Sequence, residues 1–490
     1  MISRSNTPFF LVLFLILAVF LLTSFIGLGK DFLYDWDEGI YAQVSRETGF
    51  SLSLLWNGQP WFEKPPLVFW LTKLSFSIFG ENEFGARFFM PILGAASLFF
   101  LYFLLKERLK NKAALLALTF FLVAPLFLAR SRGLNTDGAL LTGIITSFYF
   151  LTRLEKKLIA PNKGKIRFWD YFYPALAISL AVLVKGLMGF LPGLVWLFYL
   201  FISKRNFLFK TLKVWFCVGL LTILLVLPWH IYQTVRFGSN FWQVYFIEHI
   251  IRRAHQPIEY HFGGKLYYIK FLISEFSWWL ILPVLGGIFW LFDQIKKKKL
   301  DDNFIFFFIW GGLVLGLFTF SKTKLFWYIL PLYPVLAVLW GYGWQKLLSF
   351  GKNLFLVPIF FILFWTLVSN YQAIINREEP KPSAKIALAG EAGLGCLEPL
   401  LFLVDKNERA AANILPDELT LSSSFSYGGS PAVVFYSALP VSFFYQIDQF
   451  ENRLTRKMAS VCAMITQEDY HNLNLDYKIV NQQQEWLLIK

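Results

Sequence analysis

Charge is scarce in this sequence. Only 16% of its 490 residues are charged, against 56% hydrophobic and 19% aromatic, and the mean hydropathy is +0.52. That excludes an ordinary soluble globular protein, in which about a quarter of residues carry charge. Cysteine is rare too. Of the three, Cys217 lies in an apolar stretch as inert packing, while Cys396 and Cys462 lie in a polar tail, where the sequence leaves their pairing open. No A-x-A-like cleavage site follows the apolar residues 8–28. That run is longer than the h-region of a secretory leader and reads as a retained first helix. No domain gathers the basic residues. The net charge of +14 is spread over short loops between apolar runs, which excludes nucleic acid as a partner and fits basic cytoplasmic edges of a membrane protein.

What is abundant is hydrocarbon. Apolar runs fall at 8–28, 86–105, 113–129, 138–152, 170–185, 186–203, 214–230, 271–292, 303–320, 329–348 and 353–371. By the rule that about 20 residues cross about 30 Å, these predict an α-helical polytopic membrane protein with about eleven transmembrane helices. The long run 170–203 divides at a tight turn at Lys185-Gly186. Residues 66–80 are apolar but short, and read as an interfacial or re-entrant helix.

Basic residues cluster at 106–112, 153–167, 204–213 and 296–299, after alternate spans. These loops share one side, which is cytoplasmic with the N-terminus. Loops 29–85, 130–137, the turn at Lys185, 231–270 and 321–328 then face outward, and loops as long as 29–85 and 231–270 are often functional. The expected division is a membrane domain over 1–372 and a soluble α/β domain over 373–490 on the outer side. Strands are expected at 400–404, 432–436, 441–445, 458–465 and 486–489.

The outward loops hold the chemistry. Asp35, Asp37 and Glu38 put three carboxylates within four positions at the rim of the first span. Glu63-Lys64 stands ahead of Pro65-Pro66, the stretch Arg130-Ser131-Arg132-Gly133-Leu134-Asn135-Thr136-Asp137 ends the third span, and Glu248-His249 with Arg252-Arg253 and Lys322-Thr323-Lys324 with Tyr328 complete the set. Cations there suit a phosphate or diphosphate, Arg bidentately and Lys as a point charge. A carboxylate suits deprotonation of an acceptor hydroxyl or support of an oxocarbenium-like centre.

Plain structural readings stand beside these. Arg130, Arg132, Lys322 and Lys324 serve equally as snorkelling cations. Asp137 serves as an N-cap of the fourth span. Glu248-His249 reads first as a satisfied interfacial pair, and second as a metal site with Glu63. Asp37 is harder to dismiss, because carboxylates at a membrane edge do not snorkel.

The motifs resemble a known family. Asp37-Glu38-x-x-Tyr41 is similar to the Asp-Glu-x-x-Tyr of the C-type (GT-C) glycosyltransferases that use lipid-phosphate sugars. Lys64-Pro65-Pro66-Leu67-x-x-Trp70 resembles their Lys-Pro-Pro-Leu-x-x-Trp element, Val184-Lys185-Gly186 their Thr/Val-Lys-Gly turn, and Lys324-Leu325-x-x-Tyr328-x-Leu330-Pro331 their Lys-Leu-x-x-Tyr-x-Leu-Pro element. The segment 130–137 resembles the second acidic motif, and 431–441 the periplasmic domain. The nearest branches are the protein O-mannosyltransferase-like superfamily and the lipid A aminoarabinose transferases.

The resemblance implies a GT-C fold and inverting transfer of a sugar from a polyprenyl (undecaprenyl) phosphate donor to a lipid A, glycan or other lipid acceptor at the outer face of a bacterial inner membrane. Asp37, Asp137 and Glu38 carry over as the acidic catalytic set. Lys64, Arg252 or Arg253, Lys322, Lys324 and Tyr328 carry over as donor-phosphate contacts. Glu63 and His249 match the position that holds a divalent metal, Zn or Mg/Mn, in some relatives.

The rival class is a transporter or flippase for a polyprenyl-linked sugar or lipid. It predicts inverted repeats and polar residues near the bilayer midplane. The chain shows no repeat, and its charges sit at span ends.

Overall fold

A backbone in hydrocarbon must satisfy its own hydrogen bonds, and each of the eleven apolar stretches is helical over most of its length. A computed structural model describes residues 7–159, 166–203, 208–256, 261–298, 300–348, 354–375, 380–414, 427–456, 461–473 and 477–490. Among them, seven helices are long and apolar enough to cross a membrane: Thr7–Phe25, Glu83–Arg108, Phe168–Ser203, Leu212–Phe237, Tyr267–Lys297, Asp302–Phe320 and Phe326–Leu347. Leu67–Phe79, Asn111–Leu122 and Leu356–Asn370 are shorter apolar helices. The run expected at 113–129 is broken. Helix Asn111–Leu122 stops, and Pro125–Arg130 starts afresh with proline at its first position, where the missing N–H is harmless.

The chain divides into two compact units. The first comprises 1–28, 63–68 and 87–377. Its helices pack closely through small residues, as helices in lipid do. At Gly286 on helix Ile281–Lys297, a Cβ would lie 1.9 Å from the Leu339 carbonyl oxygen of helix Tyr333–Leu347. The long run 170–203 divides where expected. Helix Phe168–Lys185 ends at Gly186, whose φ of +55° suits glycine, and a 3₁₀ turn Gly186–Phe190 leads into helix Leu191–Ser203.

A buried polar network ties four helices of this unit. Arg108 donates to Glu155 at 2.8 Å and to Thr152 at 3.0 Å. Tyr199 donates to Glu155 at 2.7 Å, and the Arg108 guanidinium lies 3.8 Å from the Phe306 ring centre. With every partner bonded, the pair is tolerable in a low-dielectric interior.

The second unit comprises 29–62, 69–86 and 378–490. Its sheet uses strands β3 (Leu397–Leu403), β4 (Val441–Phe444), β5 (Val461–Thr466), β6 (Ile479–Gln483) and β7 (Trp486–Ile489), in the order β4-β3-β5-β7-β6. β3 runs parallel to β4 and β5, and β7 antiparallel to β5 and β6. A small hairpin, β1 (Leu55–Trp56) with β2 (Gln59–Pro60), turns on Asn57 and Gly58, both at positive φ as an Asn-Gly hairpin turn requires. Of the expected strands, 400–404, 441–445 and 486–489 fall on strands. For 458–465, strand β5 starts at Val461, and 458–460 lie outside the described residues.

The expected strand at 432–436 is instead helix Ala432–Ser437. Asp35 accepts from the Ala432 N–H at 3.0 Å, and Arg46 donates to the Val434 and Phe435 carbonyls at 3.1 and 2.9 Å. Both ends of one helical turn are thereby satisfied by side chains 388 to 397 residues away, which outweighs β propensity in a short apolar run.

Cys396 and Cys462 are disulfide-bonded, while Cys217 is a half-buried free thiol. Denatured, unreduced protein should therefore take up maleimide at Cys217 alone, and at all three cysteines after reduction, read by mass. Replacing Cys396 and Cys462 by Ser should destabilise the second unit by up to about 4 kcal/mol in chemical denaturation, since the bond closes a long loop.

Candidate active site

Four segments of the first unit converge. Asn135 accepts from the Gly138 N–H at 2.7 Å and so caps helix Thr136–Ile159, while its amide closes the preceding turn onto the Arg130 and Gly133 carbonyls. The cap is thus Asn135 rather than Asp137. The Asp137 carboxylate, favoured in the first turn by the helix dipole, is paired with Lys185 at the corner of the divided run. Both side chains are nearly buried. The Lys185 ammonium also lies 5.3 Å from the centre of the Tyr328 ring, and Arg253 donates to the Tyr328 hydroxyl at 3.1 Å.

A second cluster flanks Arg253. Glu63 lies 3.9 Å from Lys64 and 3.8 Å from His249. Burial pushes the His249 imidazole well below its ordinary pKa; Glu63 opposes this, and Lys64 and Arg253 add to it. His249 is therefore neutral near pH 7, and its contact with Glu63 is not an ion pair. The Glu248 carboxyl is pushed above the usual range by burial. His249 and Glu63 supply two donors fit for a divalent cation. Among the described residues, no group of three or more His, Cys, Asp or Glu completes a site.

The remaining expected residues have other surroundings. Lys324 is buried and donates to the Phe318 and Thr319 carbonyls at 2.6 Å each, closing the end of helix Asp302–Phe320. Residues 322–324 meet an earlier loop through backbone bonds from Lys322 to Ala254, Thr323 to Arg253 and Lys324 to His261, at 3.0 to 3.2 Å. Lys322 itself is exposed, and Arg252 donates to Gln256 at 3.3 Å. Arg132 donates to the carbonyls of Thr23, Ser24 and Ile26 at the end of the first helix, and Arg130 stacks 4.3 Å from a Trp327 ring centre.

In the second unit the acidic triplet is sorted. Asp35 is bound by Ser430 at 2.6 Å and by Ala432, with burial raising its pKa. Glu38 is buried and accepts from the Tyr34 N–H at 2.9 Å. Asp37, first in helix Asp37–Thr48, is partly exposed.

The family described as dolichyl-phosphate-mannose-protein mannosyltransferase matches residues 63–232. An uncharacterized protein of Aquifex aeolicus (strain VF5) is 31% identical over 335 residues, 67% of this chain and 71% of that protein. The undecaprenyl phosphate-α-4-amino-4-deoxy-L-arabinose arabinosyl transferase of Pseudomonas savastanoi pv. phaseolicola (strain 1448A / Race 6) is 29% identical over 350 residues. The chain belongs to the C-type polyprenyl-phosphate-sugar glycosyltransferases.

The match covers 69% of this chain but 62% of the Pseudomonas transferase. The fold is likewise similar to ArnT from Cupriavidus metallidurans, solved bound to undecaprenyl phosphate, with a TM-score of 0.71, 18% identity and 97% of each chain covered. The chain is a multi-pass membrane protein of this GT-C fold, and the second unit carries its small sheet.

Lys185 is the residue that reasoning from the sequence undervalued. It was legible as half of a Lys-Gly corner, but its partner Asp137 lies 48 positions away. Removing one member should leave a buried, uncompensated charge. Lys185→Met should destabilise the detergent-solubilised protein by about 3–5 kcal/mol, and Lys185→Met with Asp137→Asn by clearly less, in a thermal or denaturant melt.

Proposed function

We propose that this chain is an inverting membrane glycosyltransferase. In this reading it moves a sugar from an undecaprenyl-type polyprenyl phosphate to a lipid A, glycan or similar lipid acceptor on the periplasmic face of a bacterial inner membrane. The observation that carries the reading is the pair of cations at Tyr328, Lys185 and Arg253, with Lys64 in the adjoining Glu63–His249 cluster, and Asp137 and Glu63 opposing them. Lys64, Lys185 and Arg253 supply three cations there, each able to make a charge-assisted contact with an anionic group. Relatives that act on or bind undecaprenyl phosphate support the choice of donor. The disulfide supports an oxidising compartment for the second unit. We take 1–372 as the catalytic membrane domain, with loops 29–85 and 231–270 as its catalytic loops, and 373–490 as a soluble periplasmic domain.

The donor is a phosphodiester with one negative charge. In transfer, Asp37 takes the proton of the acceptor hydroxyl. The hydroxyl oxygen bonds to the anomeric carbon from the face opposite the phosphate, and the bond from that carbon to the phosphate oxygen breaks, leaving its electron pair on the phosphate. The leaving polyprenyl phosphate gains a second negative charge. Lys64 and Arg253 stabilise that growing charge, an interaction stronger in the transition state than in the ground state. Asp137 holds Lys185 beside Tyr328.

Transfer in proteoliposomes from a panel of polyprenyl-phosphate sugars tests this. Asp37→Asn should retain donor binding and lose about 10²–10⁴ in rate, the range for a general base. Lys64→Ala should weaken donor binding by about 1.5–3 kcal/mol, one charge-assisted contact. Transfer by Asp37→Asn at the wild-type rate, or no transfer from any donor by folded wild type, would overturn the reading.

A further inference from the structure

Beyond helix Leu208–Phe237 and the short helix Ser239–Trp242 lies a π-helix, Gln243–Arg252, continued by Arg253. With about four residues per turn, Tyr245, His249 and Arg253 share a face. His249 meets Glu63, and Arg253 meets Tyr328. Tyr245 meets a third part of the site, the Lys185-Gly186 corner. A Cβ on Gly186 would lie 2.7 Å from the Tyr245 hydroxyl oxygen, so the phenol touches the backbone of the residue that follows Lys185.

That phenol is fixed. It is buried, stacked on Phe241 with ring centres 5.0 Å apart, and met edge-on by Trp229 at 5.8 Å. Its hydroxyl lies 3.2 Å from His230 Nε2. His230 Nδ1 lies 3.1 Å from the Val226 carbonyl, which only accepts. Neutral His230 therefore carries its proton on Nδ1, and Nε2 accepts from Tyr245.

We propose that Tyr245, held by His230, is a positioning residue. It buttresses the Lys185-Gly186 corner so that the Lys185 ammonium stays between the Asp137 carboxylate and the Tyr328 ring. Neither Tyr245 nor His230 need touch the donor. Their loss misplaces Lys185 and lowers turnover while leaving the donor contacts of Lys64 and Arg253 in place. This role rests on the glycosyltransferase reading, yet it has a consequence independent of activity, because a loosened Lys185 is more reactive toward acylating reagents.

The experiment is a double-mutant cycle in the full-length protein. Tyr245→Phe keeps the ring and removes the hydroxyl. It should lower kcat by about tenfold, what one net hydrogen bond is worth at most, with the donor KM within about twofold. His230→Leu should match it, Tyr245→Phe/His230→Leu should be no slower than either, and His230→Gln, whose amide oxygen still accepts, should recover most of kcat. In parallel, acylation of Lys185 by a water-soluble amine reagent, read by mass spectrometry, should be several-fold faster in Tyr245→Phe than in wild type. Wild-type kcat in Tyr245→Phe, effects that multiply in the double variant, or equal Lys185 acylation would each overturn the assignment. Absence of transfer by the wild type would count against the glycosyltransferase reading alone, and the acylation comparison would still decide the role of Tyr245.

Discussion

The ion pair of Asp137 and Lys185 is the constraint around which the first unit is arranged. A carboxylate and an ammonium that are both nearly buried are tolerable only together. Joining them requires that helix Thr136–Ile159 begin where helix Phe168–Lys185 ends, and both ends are built for that. Asn135 caps the first, which frees the Asp137 carboxylate for Lys185. Gly186 ends the second with a backbone angle that other residues rarely adopt. Tyr328 then lies against the ammonium and accepts from Arg253, so the loops 231–270 and 321–328 are coupled to the same pair.

The bonds from residues 321–324 to Arg253, Ala254, Gln256 and His261 explain why two loops distant in sequence act as one surface. Backbone bonds run between them, and the hydroxyls of Ser321 and Thr323 add bonds to the Arg253 and Gln256 carbonyls. Lys324 has a structural part in this, since its ammonium closes the carbonyls at the end of helix Asp302–Phe320, as cations near helix C-termini do. A lysine in a motif is therefore not by itself a ligand for phosphate. Of the cations expected from the motifs, Lys64 adjoins Glu63 and Arg253 meets the Tyr328 hydroxyl, whereas Lys324 donates to backbone carbonyls.

Much of this was legible in the sequence because membrane helices are written in hydropathy. The spans, the division at Lys185-Gly186 and the strands at 400–404, 441–445 and 486–489 follow from local pattern. What was not legible depends on partners far along the chain. Residues 432–436 read as a strand, but Asp35 and Arg46 satisfy them as a helix. Asp137 read as a cap, but a better cap stands two residues earlier. The three carboxylates near residue 37 read as one cluster. In the structure Asp35 is fastened to Ser430, Glu38 is buried and bonded to the backbone of Tyr34, and Asp37 stands first in its helix.

The same sorting gives the site its charge logic. A fully cationic pocket would hold a phosphorylated leaving group too tightly, and a neutral one would not assist its departure. Asp137 and Glu63 reduce the charge of Lys185 and Lys64, and burial keeps His249 from adding another positive charge. What remains is a set of cations held in place by neighbours, Lys64 and Lys185 by carboxylates and Arg253 by the Tyr328 hydroxyl. Fixed charge of that kind favours the state with the greater negative charge without the cost of reorienting dipoles during reaction. The carboxylates in this cluster therefore tune the cations beside them: Glu63 lies 3.9 Å from Lys64, and Asp137 is paired with Lys185.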